Sequence, residues 1–318
     1  MIIWDVGVKY CLCASKKHYP IPSNYYDMHK YQSDWNDRML ELRVLVDNNT
    51  LIDRYFHGEP GVSYHLRDGG NRILFDAGYS DAFIRNVEKM GIRLLDTDFV
   101  VLSHGHLDHT WGLYHLIKLY TEARMEKVYF DNPTIVAHPS AFLTRTVGGI
   151  PEIGSLISED KLSCHFNMRL ERDPLWLTEN LVFLGEIERT NNFEARMPIG
   201  RILRDGIEED DYVIDDSALV YTSPKGLTIV AGCSHTGICN TIEYAKKVCG
   251  DDRVVDIIGG FHLLEPSYEQ LQGTLEYMKD LQPETVHAAH CTDLNSKIAL
   301  SRVVDLKEVG VGLRLVYK

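Results

Sequence analysis

The stretch FVVLSHGHLDHTWGL, residues 99–113, sets three of the chain's fourteen histidines and an aspartate within six positions, directly behind an apolar run. FVVLS reads as a buried strand, and where such a strand leaves its sheet, polar side chains face the rim rather than the core. His104 and His106 are two apart, so in extended backbone they project to the same side. Asp108 and His109 follow at the turn into a helix. That helix is predicted over TWGLYHLIKLYTEARM, with Trp111, Tyr114, Leu116, Ile117 and Tyr120 available for core faces. An H-x-H-x-D-H set can supply two neighbouring metal ions, His104 and His106 serving one, Asp108 and His109 the other. Imidazole and carboxylate suit zinc, and also iron or manganese. Satisfied surface histidines are the alternative, and clustering behind an apolar strand argues against it.

Around this stretch the pattern is one of strands in runs, with helices after them. LRVLVDN, from Leu42, reads as a strand, and GVSYHLRDGGNRILFDAG as two strands around an Asp-Gly-Gly turn. SDAFIRNVEKMGI has helical spacing, with Ser80 as N-cap and Gly91 past the end. The second half repeats the logic. LVFLGEI, SALVYTS and GLTIVAG are strands, NTIEYAKKVCG a helix, VVDIIGG a strand, SYEQLQGTLEYMKDL a helix and ETVHAAH a last buried strand. Two β-rich halves flanked by helices fit an α/β sandwich of two mixed β-sheets covered by helices outside. Residues 1–40 have weak periodicity and read as an N-terminal extension of opaque role, with 41–318 as the main domain. Within it, the polar, Gly/Pro-marked region 140–215 reads as an irregular insertion able to cover a substrate.

Composition narrows the classes. With 44% hydrophobic and 25% charged residues, the 318-residue chain is ordinary for a globular protein. No segment approaches the roughly 18–20 apolar residues of a membrane span. The opening segment lacks a basic leader, so a soluble, cytoplasmic protein is expected. A formal charge of −13 argues against a general nucleic-acid-binding surface while leaving room for a local basic pocket. The seven cysteines include no C-x-x-C pair and no disulfide framework; Cys11 and Cys13 in CLC read as a buried pair or, less simply, a metal site.

HGHLDH, preceded by ILFDAG, resembles the signature of the metallo-β-lactamase fold, whose members have an αββα sandwich with a metal centre at its rim. EPGVSYHL, DDSALVY, VAGCSHTGICN, IIGGFHLL and AAHCTD resemble one branch of it, proteins similar to a methanopterin-pathway synthase that joins a dihydropterin to a ribofuranosyl-aminobenzene phosphate. The resemblance covers about residues 42–318. Trp111 stands where a glycine is commoner. The resemblance implies that Asp76 in FDAG orients the metal loop and that His290 is the late metal histidine. In many relatives an aspartate at the strand end of VAGCSH bridges the metals; here His235 is favoured as a ligand, with Cys233 as the other candidate.

His262 follows a Gly pair and could be a ligand, a substrate contact or an acid. His287 reads as a core residue, and His138 has only its strand-end position to recommend it. Glu186, Glu194, Asp215 and Asp216 could orient histidines or take a proton, but are most simply solvated loop charges. The expected protein is a metal-dependent hydrolase of a small, anionic ester or phosphoester. Two divalent ions, zinc first and manganese or iron next, would acidify a water to a pKa of about 7, with Asp108 touching that water and His262 facing the developing negative oxygen. The alternatives are a pterin-linked condensing synthase and a non-hydrolytic iron-binding redox or sensing module. The partner is a small molecule, with neither nucleic acid nor membrane expected.

Overall fold

Strand β1 (Leu40–Val46) alternates as its sequence LELRVLV suggests: Leu40, Leu42 and Val44 are fully buried, while Glu41 and Arg43 lie half-buried on the opposite face. The computed structural model describes residues 39–318. The CLC pair and nearly all of the extension read over residues 1–40 lie outside the described residues. β1 pairs antiparallel with β2 (Ser63–Asp68), which turns at Gly69 and Gly70 into β3 (Asn71–Phe75). Helix α1 (Ala82–Met90) stops at Gly91, whose left-handed φ of 67° suits a residue without Cβ. Its start differs from expectation: Asp81, not Ser80, holds the cap position, and Ser80 Oγ accepts from the Ala82 N–H at 3.2 Å.

The parallel strand β4 (Phe99–Val101) leads through the histidine loop into the short α2 (Leu107–Thr110), then α3 (Leu113–Met125) and β5 (Thr134–Ala137). Leu113, Leu116, Tyr120 and Ala123 form the buried stripe of α3; Tyr114 lies off it and is 60% exposed. Residues 140–215 contribute to every layer. They supply β6 (Arg145–Thr146), α4 (Glu159–Ser163), β7 (Asn167–Leu170), β8 (Leu175–Trp176), β9 (Leu181–Phe183), β10 (Gly200–Arg204) and β11 (Ile207–Asp211). β11, β10 and β6 form a small antiparallel sheet, β7 joins the first main sheet and β8 and β9 the second, and α4 packs Leu162 into the apolar layer outside the first. The chain then runs through β12 (Ala218–Ser223), β13 (Gly226–Ala231), α5 (Ile238–Cys249), β14 (Val254–Gly260), α6 (Tyr268–Leu281), β15 (Thr285–Ala289), α7 (Leu294–Leu300) and β16 (Arg314–Tyr317).

Two mixed sheets result, ordered β16-β1-β2-β3-β4-β5-β7 and β15-β14-β13-β12-β9-β8. Three apolar clusters account for the layers. Leu42, Tyr64, Phe75 and Val101 of the first sheet meet Phe183, Leu219, Val230 and Ile258 of the second in a core between them. Phe83, Leu116 and Tyr120 cover the outside of the first, and Ile238, Ile242 and Met278 the outside of the second. This is the αββα sandwich expected from the sequence. No helix of the described residues is long and apolar enough to cross a membrane.

The topology also explains why chemistry gathers at one rim. β3 and β4 run parallel, as do β13, β14 and β15. Parallel neighbours deliver their C-terminal ends to the same edge. Asp76, the 103–109 loop, Cys233 with His235, His262 and His290 follow the ends of those five strands within one to eight residues.

Candidate metal centre

Two groups of side chains converge at this rim. In the first, His106 Nδ1 lies 3.1 Å from both His104 Nε2 and His235 Nε2. In the second, Asp108 Oδ2 lies 3.2 Å from His290 Nε2 and 3.8 Å from His109 Nε2, and His109 Nε2 lies 3.2 Å from Cys233 Sγ. Cys233 links them, since ligand atoms of Asp108, His109, Cys233 and His290 all fall within 4.8 Å of one another, as do those of His104, Cys233 and His235, while His106 joins that trio through His104 and His235. The six metal residues read from the sequence are thus brought together, and Cys233 with them. His235 and Cys233 are both at the site rather than one in place of the other.

A second layer orients these rings. Asp76 is fully buried; its Oδ1 accepts from the Ser103 N–H at 2.7 Å, and its Oδ2 faces Ser103 Oγ and His109 Nδ1, both at 2.7 Å. The carboxylate fixes the proton of His109 on Nδ1 and turns Nε2 inward. Ser103 Oγ, 3.0 Å from His104 Nδ1, does the same for His104. The role the resemblance gave Asp76 therefore has a geometric basis, while Ser103 was missed. Its only sequence signal was its position between strand and histidines. Asp76, Ser234, His262 and His290 all have φ between 50° and 59°, a left-handed conformation that is unfavourable without glycine and gathers at functional sites.

Gly105 is required by packing: a Cβ there would overlap the Ala141 carbonyl oxygen and the Arg145 guanidinium. Its N–H donates to Asp215 Oδ2 at 2.8 Å, and Asp215 Oδ1 takes a 2.6 Å bond from Arg145 Nη2. Asp215 and Asp216, expected to be solvated, are buried, and so is Glu194. Asp216 Oδ2 accepts from the Thr236 N–H, and burial, with Asp215 beside it, pushes its carboxyl up to about 7. Glu194 accepts from the N–H groups of Cys239 and Asn240 at the start of α5. Of the four, only Glu186 is substantially exposed; it meets His138 at 3.2 Å, which takes that histidine out of the ligand groups. His287 is paired with Asp256 at 2.9 Å, the core residue it was expected to be. Trp111 stacks on Tyr79 and donates to the Gly154 carbonyl.

His262 stands beside the first group, its ring 4.2 Å from that of His235, and its backbone N–H meets Cys291 Sγ at 3.3 Å. Two clefts share His235 and His262. One, about 400 Å³, is also lined by Asn48, Asp108, His290 and Cys291; the other, about 280 Å³, by Phe193, Arg196, Met197 and Tyr212. Asn48 and Asp47 were also missed: the Asp47 carboxylate accepts from the His290 N–H at 3.0 Å, and Asn48 Nδ2 donates to its carbonyl at 3.1 Å.

The donor set fits a divalent cation. Burial, with neighbouring imidazoles adding to it, holds His104 and His235 well below the usual histidine value; burial and then Arg145 bring His106 to about 3. Three neutral rings therefore point nitrogens at one spot, and each ring has a single N–H to offer. Their spacing is close to the edge of about 3.3 Å expected of nitrogens around a tetrahedral zinc. His106 Nε2 and His235 Nδ1 find no partner among the described residues, so the rings are not held there by other hydrogen bonds of their own. Removing the orienting carboxylate should matter: Asp76→Ala is expected to weaken metal binding by about 10–100-fold, measured by competition with a chromophoric chelator. An unchanged affinity would show that His109 is aligned by other contacts.

A family profile for the metallo-beta-lactamase superfamily matches residues 58–126. The chain belongs to the metallo-beta-lactamase superfamily. Within it, the chain is similar to the 7,8-dihydropterin-6-methyl-4-(β-D-ribofuranosyl)-aminobenzene-5′-phosphate synthase of Methanocaldococcus jannaschii, 32% identical over 271 residues, covering 81% of this chain and 89% of that protein. A crystal structure described as a metal-dependent hydrolase of the β-lactamase superfamily matches with a TM-score of 0.72 at 26% identity, over 87% of this chain and 98% of that one. The metallo-β-lactamase fold protein YhfI of Bacillus subtilis, at a TM-score of 0.54 and 10% identity over 88% of this chain and 100% of that one, shares the fold. Members of the superfamily are generally enzymes, and the fold implies divalent metal binding.

Proposed function

We propose that this chain is a metallohydrolase with a two-cation centre, acting on a small anionic ester or phosphoester. The observation that carries the reading is the pair of ligand groups sharing Cys233. His104, His106 and His235 would hold one cation, Asp108, His109 and His290 the other, with the Cys233 thiolate between them. Bound there, the cations supply Lewis acidity, which polarises a substrate oxygen and lowers the pKa of water.

The chain's own residues do the rest. Burial works against charge on Asp108, but the flanking His109 and His290 keep its carboxyl below the usual range, so it stays an acceptor at the edge of the cleft. It is suited to orient an attacking water. His262 lines both clefts, and its Nδ1 has no partner among the described residues. It is suited to hydrogen-bond a developing negative oxygen or protonate a leaving group. Clefts of about 280 and 400 Å³ suit a metabolite rather than a polymer.

A second reading, a pterin-linked condensing synthase, draws on the 32% identity to the Methanocaldococcus jannaschii protein. The two differ in the nucleophile, water or a second substrate. Metal content of the purified protein is measured first. Bis(4-nitrophenyl) phosphate is then offered to native, chelator-treated and metal-restored protein. In parallel, a dihydropterin diphosphate is offered with an aminobenzene riboside phosphate. Ester cleavage that follows the metal supports the hydrolase; coupling without cleavage supports the synthase; redox-active iron with neither reaction would favour a sensing module.

Cys233 also bears on metal choice. Thiolate favours zinc, whereas carboxylate suits manganese better. Cys233→Asp is expected to shift bound metal from zinc towards manganese when both are offered equally, read by elemental analysis. An unaltered ratio would mean that the thiol packs without coordinating.

A further inference from the structure

An arginine cluster on the outer face of the first sheet has no part in the rim chemistry. A pocket of about 270 Å³ there is lined by Arg43 of β1, His65 and Arg67 of β2, Arg72 of β3, and Arg93 just after α1, with Glu41 and Asp96 as its acidic members. Arg67 and Arg72 are direct cross-strand partners. Like charges directly opposite in an antiparallel ladder repel and destabilise it. Both guanidinium groups are exposed and form no ion pair or side-chain hydrogen bond among the described residues.

The nearby carboxylates are engaged elsewhere. Glu41 faces Arg67 across the ladder, but its Oε1 is 2.7 Å from Arg43 and its Oε2 is 2.7 Å from Arg314. Asp96 is paired with Arg93. Asp98 accepts the backbone N–H of Arg72 at 2.8 Å, not its guanidinium. His65, opposite Arg43, is buried, and its imidazole makes no hydrogen bond among the described residues. Four arginines against two acids thus make a positive concavity in a chain of net charge −13. Arg72 precedes Asp76 by four residues along an extended strand, which sets its backbone about 13 Å from that of the rim aspartate.

We infer that this pocket is a second ligand site, one that binds a phosphate-bearing small molecule between the opposed guanidinium groups of Arg67 and Arg72. Planar guanidinium forks match phosphate oxygens bidentately, and an anion bridging the two turns their repulsion into attraction. Burial, and then Arg43, lower the His65 imidazole to about 4, so it stays neutral at physiological pH with an N–H to offer the same anion.

The test uses inorganic diphosphate as probe, titrated calorimetrically into the full chain and into His106→Ala protein, both stripped of metal, so that no cation at the rim can supply the signal. Both should bind one equivalent. Arg67→Gln/Arg72→Gln protein should bind at least tenfold more weakly and lose the rise in unfolding temperature that diphosphate gives the parent. Without anion, Arg72→Gln should unfold no lower than the parent, because a repulsion has been removed. The inference is overturned if diphosphate binds the double variant as tightly as the parent or binds neither metal-free protein. It is equally overturned if Arg72→Gln lowers the unliganded unfolding temperature, which would assign the pair a structural role. Inorganic phosphate and ribose 5-phosphate, run alongside, separate a free anion from a phosphate ester as the occupant.

Discussion

His106→Ala protein should lose on the order of 10³-fold in kcat/KM on an aryl phosphodiester and hold about one fewer equivalent of metal, while remaining folded. His106 Nδ1 lies 3.1 Å from both other nitrogens of its group, so its removal opens the centre of the triad rather than one corner. Outer partners of metal ligands are worth about 10–100-fold in metal affinity or activity, and a direct ligand is worth more. The fold should tolerate the change to within about 2 kcal/mol. The ring is lost from a buried site, but its Nε2 had no partner there and the crowding of three neutral imidazoles is relieved. His262→Ala is the informative companion. Outside both ligand groups, it should lower kcat yet leave metal content unchanged. Full activity in His106→Ala protein, measured after metal restoration, would remove the first group from the chemistry altogether.

Much of this centre could be read from sequence because its parts are local. H-x-H-x-D-H needs only a strand before it and a helix after it to aim its side chains, and β4 and α2 provide them. His235 and His290 were legible as polar residues just past buried strands, where the parallel arrangement brings ends together. What escaped the sequence depends on contacts between distant segments. Asp215 reads as a loop charge until Arg145, 70 residues away, and Gly105, 110 residues away, are found against it. Ser103 gains meaning only when β3 puts Asp76 beside β4. Residues 140–215 looked irregular because their strands are two to five residues long, too short to display a period. Their apolar content is spent joining sheets begun elsewhere.

Arg145→Leu should destabilise the protein by about 3–5 kcal/mol, since it leaves buried carboxylates without their cation. Arg145 is wholly buried; its Nε meets Asp211 Oδ2 at 2.9 Å, and its Nη2 meets Asp215 Oδ1 at 2.6 Å and the Ser140 carbonyl at 3.2 Å. For a domain of this size the loss corresponds to a fall in unfolding temperature on the order of 10 °C. The pH dependence gives the cause away. Burial pushes the Asp215 carboxyl up, but Arg145, with His106 and His138 beyond it, outweighs this and holds it below the usual 3.8. A carboxylate with a depressed folded pKa stabilises above its unfolded pKa, and that contribution fades as pH falls through the folded one. The gap between parent and variant should therefore be widest near neutrality and already narrower at pH 4, because burial without the cation raises the stranded carboxyl above the usual 3.8 and it takes up its proton on the way down. Adding Asp215→Asn to Arg145→Leu should recover part of the loss, because the amide oxygen still accepts the Gly105 N–H and no charge is buried at that position. Urea denaturation at pH 7 and pH 4 measures all three proteins. A gap independent of pH, with no recovery in the double variant, would mean that Arg145 stabilises by filling volume rather than by balancing the charge that holds the H-x-H loop.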